Sequence, residues 1–280
     1  WTDARDEGVG ITGIAYSIDG DAYQNTAVSE NGYAMIDTAA LADGAHTVTL
    51  RLTDGLGYAT EKQQNIYIDR TPPVLDALTV SPDTWTKEDA LTLAWTGAAD
   101  VTSGLKSLAY GIDGQAPQAL PMEENGSTSL DISVLADGEH LLVFTLTDQA
   151  GIEASYTETG YIDRTPPEVG TVAVSPADWA DTAAVQIAWE DAVDLHSGLR
   201  NILYCLDDGE DYISLPVKAT GEADIDVSAW MDGEHAITLR YQDAAGNYTE
   251  SSYPVYIDRT PPMAEIIAPA DGDTVNINGI

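Results

Sequence analysis

Aspartates recur at a fixed interval along the chain, and six of them are candidates for binding a metal. Equivalent positions are 94 or 95 residues apart. Calcium binds about six to eight oxygen ligands, which carboxylates supply well. Several carboxylates that converge on one spot repel one another unless a hard cation joins them. The alternative is that each aspartate caps a turn, because Asp-Gly and Asp-x-x-Gly are ordinary turn sequences. The candidate calcium ligands are Asp69, Asp100, Asp148, Asp163, Asp194 and Asp243.

The interval belongs to an internal repeat. The string Ile-Asp-Arg-Thr-Pro-Pro occurs three times, beginning at Ile68, Ile162 and Ile257. A tryptophan keeps the same spacing, and so do the sequences Asp-Gly-x-His and Asp-x-x-Gly. A period near 94 residues is too long for a solenoid repeat and suits one small domain.

Each copy has the pattern of a β-sandwich. Its apolar residues alternate with period two, as along Leu142, Phe144 and Leu146, which is the pattern of strands. Seven short strands per copy predict an immunoglobulin-like or fibronectin-III-like fold, with Trp95 and Tyr110 in the core of the second copy. The strands predicted there are Val74–Val80, Ala90–Trp95, Leu105–Ile112, Gln115–Leu120, Thr128–Val134, Glu139–Thr147 and Ile152–Asp163.

The sequence therefore predicts an all-β chain of tandem immunoglobulin-like domains arranged as a rod, because the Pro-Pro of each linker restricts bending. Residues 1–73 are predicted to be a domain that lacks its first two strands. Residues 74–167 and 168–262 are predicted to be complete domains, and 263–280 the first strands of a following one. Two interpretations of the ends stay open. The chain is a window on a longer array, or 263–280 of one subunit complete the sandwich that begins at Trp1 of the next and so build a filament.

In such a fold the candidate ligands meet at the junctions between domains. The loops that carry Asp100 and Asp148 lie at the pole where the chain enters, so they face the linker that carries Asp69. The same holds for the second set. The turn at the exit pole of the preceding domain contributes Asp43 or Asp137 as a further candidate. Calcium bound there would stiffen the joint.

The other reactive residues form no catalytic constellation, so we expect no enzyme. His46, His140 and His235 occupy one repeated place after Asp-Gly, which favours a structural role. The single cysteine, Cys205, allows no intrachain disulfide, and with His196 it provides too few ligands for zinc. Nucleophile, zinc-protease and phosphate-loop motifs do not occur.

Aromatic side chains offer a surface on which a sugar ring could stack. The alternative is that they pack against the edge of the sandwich. The candidates are Trp85, Trp179, Trp230, Tyr23 and Tyr212.

The charge restricts the partners. Acidic residues outnumber basic ones 47 to 11, for a formal net charge of −36. This charge repels nucleic acid and anionic membrane surfaces, and it favours high solubility or a cationic partner. No apolar run has the length of a membrane-spanning helix, so no membrane insertion is expected.

Four motifs carry a family resemblance: Ser103–Gly114, Asp137–His140, Asp243–Asn247 and the closing Ile-Asp-Arg-Thr-Pro-Pro. With them the chain resembles the bacterial Ig-like repeats of surface adhesins and cell-wall-anchored proteins. The resemblance implies an extracellular spacer or stalk in a secreted or surface-anchored protein. Its partners would be neighbouring Ig-like domains of the same or an adjacent chain, and a glycan or protein of a host or cell surface. The alternatives are a filament subunit joined by strand exchange and a carbohydrate-binding accessory module of a surface enzyme.

Overall fold

The computed structural model describes residues 1–265 and Gly272. These residues form strands, turns and connecting segments, with no helix among them. Within that part of the chain, nothing helical has the length and apolar character needed to cross a membrane. The chain divides into two compact units. Unit 1 comprises Trp1–Thr84, Asp89–Val134 and Glu139–Tyr161, and unit 2 comprises Trp85–Glu88, Leu135–Gly138 and the chain from Ile162 onward.

Unit 1 begins with one four-stranded antiparallel sheet. Its strands are β1 (Ile11–Ile18), β2 (Gln24–Thr26), β3 (Gly44–Asp54) and β4 (Ala59–Ile68). Their order in the sheet is β2-β1-β3-β4. The hairpin β3–β4 pairs Gly44 with Ile68, so the start of β3 lies beside the end of β4 and the linker that follows it.

The rest of unit 1 is built around two sheets. The strands of this copy are β5 (Ala77–Ser81), β6 (Ala90–Thr96), β7 (Leu105–Ile112), β8 (Gln118–Leu120), β9 (Gly126–Asp131), β10 (Gly138–Asp148) and β11 (Glu153–Ile162). One sheet has the order β5-β6-β9 and the other β11-β10-β7-β8. Trp95 of β6 contacts Phe144 of β10, with ring centroids 5.4 Å apart. The two sheets therefore face each other across a shared core.

Unit 2 repeats this arrangement. Its strands are β12 (Thr171–Ser175), β13 (Ala184–Glu190), β14 (Leu199–Leu206), β15 (Ile213–Leu215), β16 (Gly221–Asp226), β17 (Gly233–Asp243) and β18 (Tyr248–Ile257). The sheets have the orders β12-β13-β16 and β15-β14-β17-β18. Side chains from both, including Ile187, Trp189, Ile202 and Leu239, form one buried apolar cluster. Burial of such side chains is the main favourable contribution to folding.

The predicted all-β, immunoglobulin-like fold is confirmed, and some of its details differ. The strand predicted at Thr128–Val134 ends at Asp131, because the Asp131 carboxylate accepts the Ser133 N–H at 3.0 Å and turns the chain. Val134 is exposed. Tyr110, predicted to be in the core, is only half-buried, since its hydroxyl donates to Gln118 Oε1 at 2.8 Å. The domain boundaries stay predictions. The strands predicted within 263–280 lie outside the described residues, apart from 263–265 and Gly272.

A glycine packs against the ring of each repeated tryptophan. A Cβ on Gly32, Gly126 or Gly221 would lie 2.4 to 2.5 Å from the tryptophan Cζ2 of the same copy. The indole N–H of each tryptophan donates to a backbone carbonyl close to that glycine, at 2.9 to 3.0 Å. The hydrogen bond fixes the ring, so the ring cannot move aside for a larger residue. The three tryptophans are Trp1, Trp95 and Trp189.

Gly126→Ala is expected to destabilise unit 1 by about 1–3 kcal/mol, the usual cost of overpacking a core. The new methyl group would overlap the Trp95 ring, which is 2% exposed. Urea unfolding of the full chain measures the loss. Gly13→Ala is the matched control, because its Cβ would meet Thr53 at an ordinary 3.6 Å. Equal stability of the two variants would contradict the packing argument.

Candidate metal centre

The structure brings the six predicted ligands together as two trios of aspartates. The first trio is Asp69, Asp100 and Asp148, all in unit 1, and the second trio is Asp163, Asp194 and Asp243, all in unit 2. In each trio, one carboxylate oxygen per residue lies within 4.8 Å of the other two. The grouping that the sequence predicted is therefore present in both units.

Each member of the first trio is positioned by the end of a strand. Asp69 directly follows β4, Asp100 lies in the loop between β6 and β7, and Asp148 is the last residue of β10. Asp148 pairs with Leu105 at a bulge, which places it beside the loop of Asp100. One side chain thus comes from the linker and two come from loops of the following copy.

Backbone N–H groups hold these carboxylates through one oxygen each. Asp100 Oδ1 accepts from Ser103 and Gly104 at 2.7 and 2.8 Å, and Asp148 Oδ1 accepts from Ile152 at 2.8 Å. Asp69 Oδ1 accepts from the backbone and hydroxyl of Thr71. These are the turn bonds that the alternative reading predicted. The Ser103 hydroxyl and then the Thr71 bonds lower the pKa of Asp69 despite opposition from burial, so this carboxylate is held in its charged form.

The second oxygen of Asp148 has no such partner. Asp148 is 0% exposed, and among the described residues no donor completes a hydrogen bond to its Oδ2. A buried carboxylate oxygen without a partner is costly. Turn capping accounts for Asp148 Oδ1 and leaves Asp148 Oδ2 unexplained. A hard cation that takes oxygen ligands fits this set of donors.

The second trio has the same layout. Asp163 directly follows β11, Asp194 lies between β13 and β14, and Asp243 is the last residue of β17. Asp163 and Asp243 are 0% and 1% exposed. Burial raises the pKa of Asp243, and the nearby charge of Asp163 adds to the effect, against opposing bonds from Asn247. The carboxylates therefore repel one another, as the sequence argument expected.

An amide distinguishes the second trio from the first. The side-chain NH₂ of Asn247 donates to the backbone carbonyl of Asp163 at 2.9 Å and to Asp243 Oδ2 at 2.8 Å. The Ser197 N–H lies 3.1 Å from Asp163 Oδ2. The corresponding residue of the first trio is Ile152, which has no side-chain donor. The second trio thus satisfies more of its oxygens internally.

The further candidates Asp43 and Asp137 are not members of either trio. Asp43 forms an ion pair with Arg70 at 3.0 Å, and Asp137 accepts a hydrogen bond from the Thr165 hydroxyl at 2.6 Å. Asp232 of the last copy accepts the backbone N–H of Arg259 at 2.8 Å. These aspartates fasten the linker that follows their own copy.

Sequence reasoning missed a partner for each repeated histidine. Nδ1 of His46, His140 and His235 lies 2.6 to 2.9 Å from an aspartate that precedes it by 27 or 28 residues. That recurring offset was the available signal. The three aspartates are Asp19, Asp113 and Asp207. The structural role predicted for these histidines agrees with this bonding.

The predicted sugar-stacking residues are mostly engaged in other contacts. Tyr23 and Tyr212 donate to glutamates and lie against arginines, and Trp230 stacks on His235 with centroids 4.3 Å apart. Trp85 is half-buried. Trp179 is 59% exposed and lies beside Tyr256. A glycan partner stays a prediction.

Three solved structures illustrate what the chain is similar to. No protein-family model matches it, and no curated protein matches it significantly. A structure from work on host cell surface retention of a 1.5-MDa bacterial ice-binding adhesin aligns at 20% identity and TM-score 0.43, over 88% of this chain and 86% of its own. A tetra-tandem repeat of the extending region of a large adhesion protein aligns at 23% identity and TM-score 0.36, over 89% and 67%. A Ca²⁺-stabilized adhesin of an Antarctic bacterium aligns at 19% identity and TM-score 0.39, over 89% and 66%. At identities of 19 to 23% and TM-scores of 0.36 to 0.43 these matches carry no conclusion about the role of this chain.

Proposed function

We propose that the chain is a structural spacer of a secreted or surface-anchored, adhesin-like bacterial protein, and that calcium in the two trios stiffens the joints between successive copies. The repeated sandwiches support the spacer role. Each has its own apolar core, and the buried aspartates among the described residues, Asp148, Asp163 and Asp243, belong to the trios. No catalytic step forms part of the proposal.

The observation that carries the calcium proposal is the buried Asp148 Oδ2. This oxygen has no hydrogen-bond partner among the described residues. The carboxylates of Asp69 and Asp100 lie close to it. A bound cation would complete the coordination of Asp148 and Asp69 together. It would also remove the repulsion between their charges.

The position of the first trio gives the cation a mechanical effect. Asp69 belongs to the linker after β4, and Asp100 and Asp148 belong to loops at one end of the next sandwich. A cation bound by all three would tie the linker to that sandwich. Extracellular calcium modules typically bind with dissociation constants of about 0.1–1 mM, so such a joint would be loaded outside the cell.

Small-angle scattering of the full chain with calcium or a chelator tests the proposal. A single compact body of this length has a radius of gyration of about 19 Å, and a spacer is expected to exceed it clearly. Calcium is expected to narrow the distribution of end-to-end dimensions, and the double variant Asp148→Asn/Asp243→Asn is expected to lose this response. A radius near the compact value would overturn the spacer role. An unchanged profile on chelation would overturn the calcium role.

A filament subunit is a second candidate, supported by a groove on unit 1. The groove has a volume of about 690 Å³ and is lined in part by Trp1, Ile11, Leu50 and Leu52. Charged side chains also line it, and it reaches the edge strand β4 at Thr60 and Lys62, where a strand from a second copy would add to the sheet. The same scattering data, taken over a concentration series, decide this candidate. If the molecular mass rises with concentration and Leu52→Asp prevents this rise, the filament role is supported. If the mass stays that of a monomer at every concentration, the filament role is rejected.

A further inference from the structure

His46 in unit 1 and His235 in unit 2 are each held between two hydrogen-bond acceptors. In unit 1, His46 Nδ1 lies 2.6 Å from Asp19 Oδ2 and Nε2 lies 2.7 Å from the Ala42 carbonyl. In unit 2, His235 Nδ1 lies 2.9 Å from Asp207 Oδ2 and Nε2 lies 2.8 Å from the Met231 carbonyl. A carbonyl oxygen and an ionised carboxylate only accept. Both bonds therefore need a proton on each nitrogen, which only the imidazolium provides.

The short segment that ends at each histidine also forms hydrogen bonds to the linker that follows the same copy. We call these segments the histidine turns, residues 42–46 and 231–235. In the first, Asp43 accepts the Arg70 backbone N–H at 3.1 Å and its guanidinium at 3.0 Å. In the second, Asp232 accepts the Arg259 N–H at 2.8 Å and a short hydrogen bond from the Thr260 hydroxyl. A bond across the turn thus keeps the linker's acceptor in place.

We propose that the protonated histidine of each turn is a proton-dependent latch, which keeps Asp43 or Asp232 bonded to the linker and loosens that contact when the imidazole loses its charge. Loss of one proton leaves a single N–H for two acceptors. The bond to the Ala42 or Met231 carbonyl or the bond to the aspartate must then break. The proposal does not depend on calcium, because neither histidine belongs to a trio.

The charged groups around each imidazole set the balance between its protonated and neutral forms. Asp19 faces His46 on one side, and the positive charge of Arg70 opposes protonation from the other. Around His235 the groups are Asp207, Arg259 and the acidic side chains of Asp208 and Glu234, which line the same cleft. Trp230 stacks on the ring. Two aspartates of these pairs have left-handed backbones, with φ of 49° at Asp19 and 48° at Asp207, and their bonds help to hold that strained turn.

The direction of the pH effect follows from these contacts. The hydrogen bond to Asp19 raises the pKa of His46. Burial opposes the charge of His235, but the bonds to Asp207 and the Met231 carbonyl outweigh it and raise its pKa as well. A group whose pKa is raised on folding contributes stability that is complete below the unfolded value of about 6.5 and is lost as pH rises through the folded value. The hydrogen bond to His46 lowers the pKa of Asp19. The carboxylate therefore stays ionised, and keeps its bond to the imidazolium, to a pH below the usual range of an aspartate.

The test follows the full chain in a chelating buffer, by histidine NMR titration and by hydrogen exchange of the Arg70 and Arg259 amides. The Hε1 titration midpoints of His46 and His235 are expected above about 6.5. The protection factors of the two amides, from which the intrinsic pH dependence is removed, are expected to fall severalfold from pH 6 to pH 9. Asp19→Asn is expected to lower the midpoint of His46 and flatten the response at Arg70 alone. Asp207→Asn is expected to do the same at Arg259.

Matched controls separate the latch from a general change of charge. Asp21→Asn changes the same charge in the same exposed turn without touching His46, and it is expected to leave both readouts as in the unmodified chain. Midpoints at or below about 6.5, or protection that is the same at both pH values, overturn the proposal. If Asp19→Asn unfolds unit 1, the titration and exchange of the unmodified chain still decide the question.

Discussion

Asp148→Asn is expected to abolish the calcium-dependent stabilisation of unit 1 while leaving the metal-free chain as stable as before. Asparagine keeps an oxygen for the Ile152 N–H and removes one of three neighbouring charges, so the metal-free protein loses no bond and loses some repulsion. The calcium ion loses a charged ligand, and the smaller negative charge of the trio attracts it less. A variant that is at least as stable without calcium but less stable with it distinguishes a calcium ligand from a residue needed only for folding.

The size of the effect follows from linkage. For a dissociation constant of about 1 mM, about 10 mM calcium adds roughly 1.4 kcal/mol of stability per site. Differential scanning calorimetry with calcium and then with excess chelator measures it. Asp83→Asn, at an exposed position in the same unit, is the matched control and is expected to respond like the unmodified chain. If calcium leaves the unfolding temperature of the unmodified chain unchanged, neither trio binds calcium at a physiologically relevant concentration.

Trp189→Ala is expected to lower the free energy of unfolding of unit 2 by about 3–5 kcal/mol. Trp189 is 1% exposed and lies in the apolar cluster shared by both sheets. The substitution leaves a cavity beside Gly221, which has no side chain to fill it. It also removes the indole donor from the Lys218 carbonyl, which is 2.9 Å away.

Hydrogen exchange read peptide by peptide measures this loss and locates it. Amides of β13, β16 and β17 are expected to lose protection in Trp189→Ala. Trp179→Ala removes the same side chain at a site that is 59% exposed, and surface substitutions of this kind usually change stability by less than about 0.5 kcal/mol. Similar losses in the two variants would show that burial does not set the cost.

The sequence predicted the fold and the trios because both depend on periodic signals. The alternation along Leu142, Phe144 and Leu146 survives as a buried face of β10. The spacing of aspartates in linkers and loops placed them at one end of a sandwich, where they meet. The repetition strengthened the prediction of individual residues, because a residue type that occurs at the same place in several copies indicates the same local environment in each.

Contacts that depend on side-chain geometry were beyond reach. Nothing in the sequence shows that Asp148 Oδ2 lacks a donor while Oδ1 has one, because this depends on the path of the hairpin at Ile152. Tyr110 alternates correctly with Leu108, yet its hydroxyl reaches Gln118 and keeps the ring half-buried. The recurring offset between His46 and Asp19 marks the two as a pair, but the contact between Nδ1 and Oδ2 needs the register of β1 against β3.

The contact between tryptophan and glycine has a consequence for how such copies diverge. Each pair is separated by 31 or 32 residues in the chain, and neither member tolerates an independent change, since a side chain at the glycine collides with the ring and a smaller ring leaves a void. The two positions should covary across related copies. A search for distant members is therefore better guided by this coupled pair than by the linker motif.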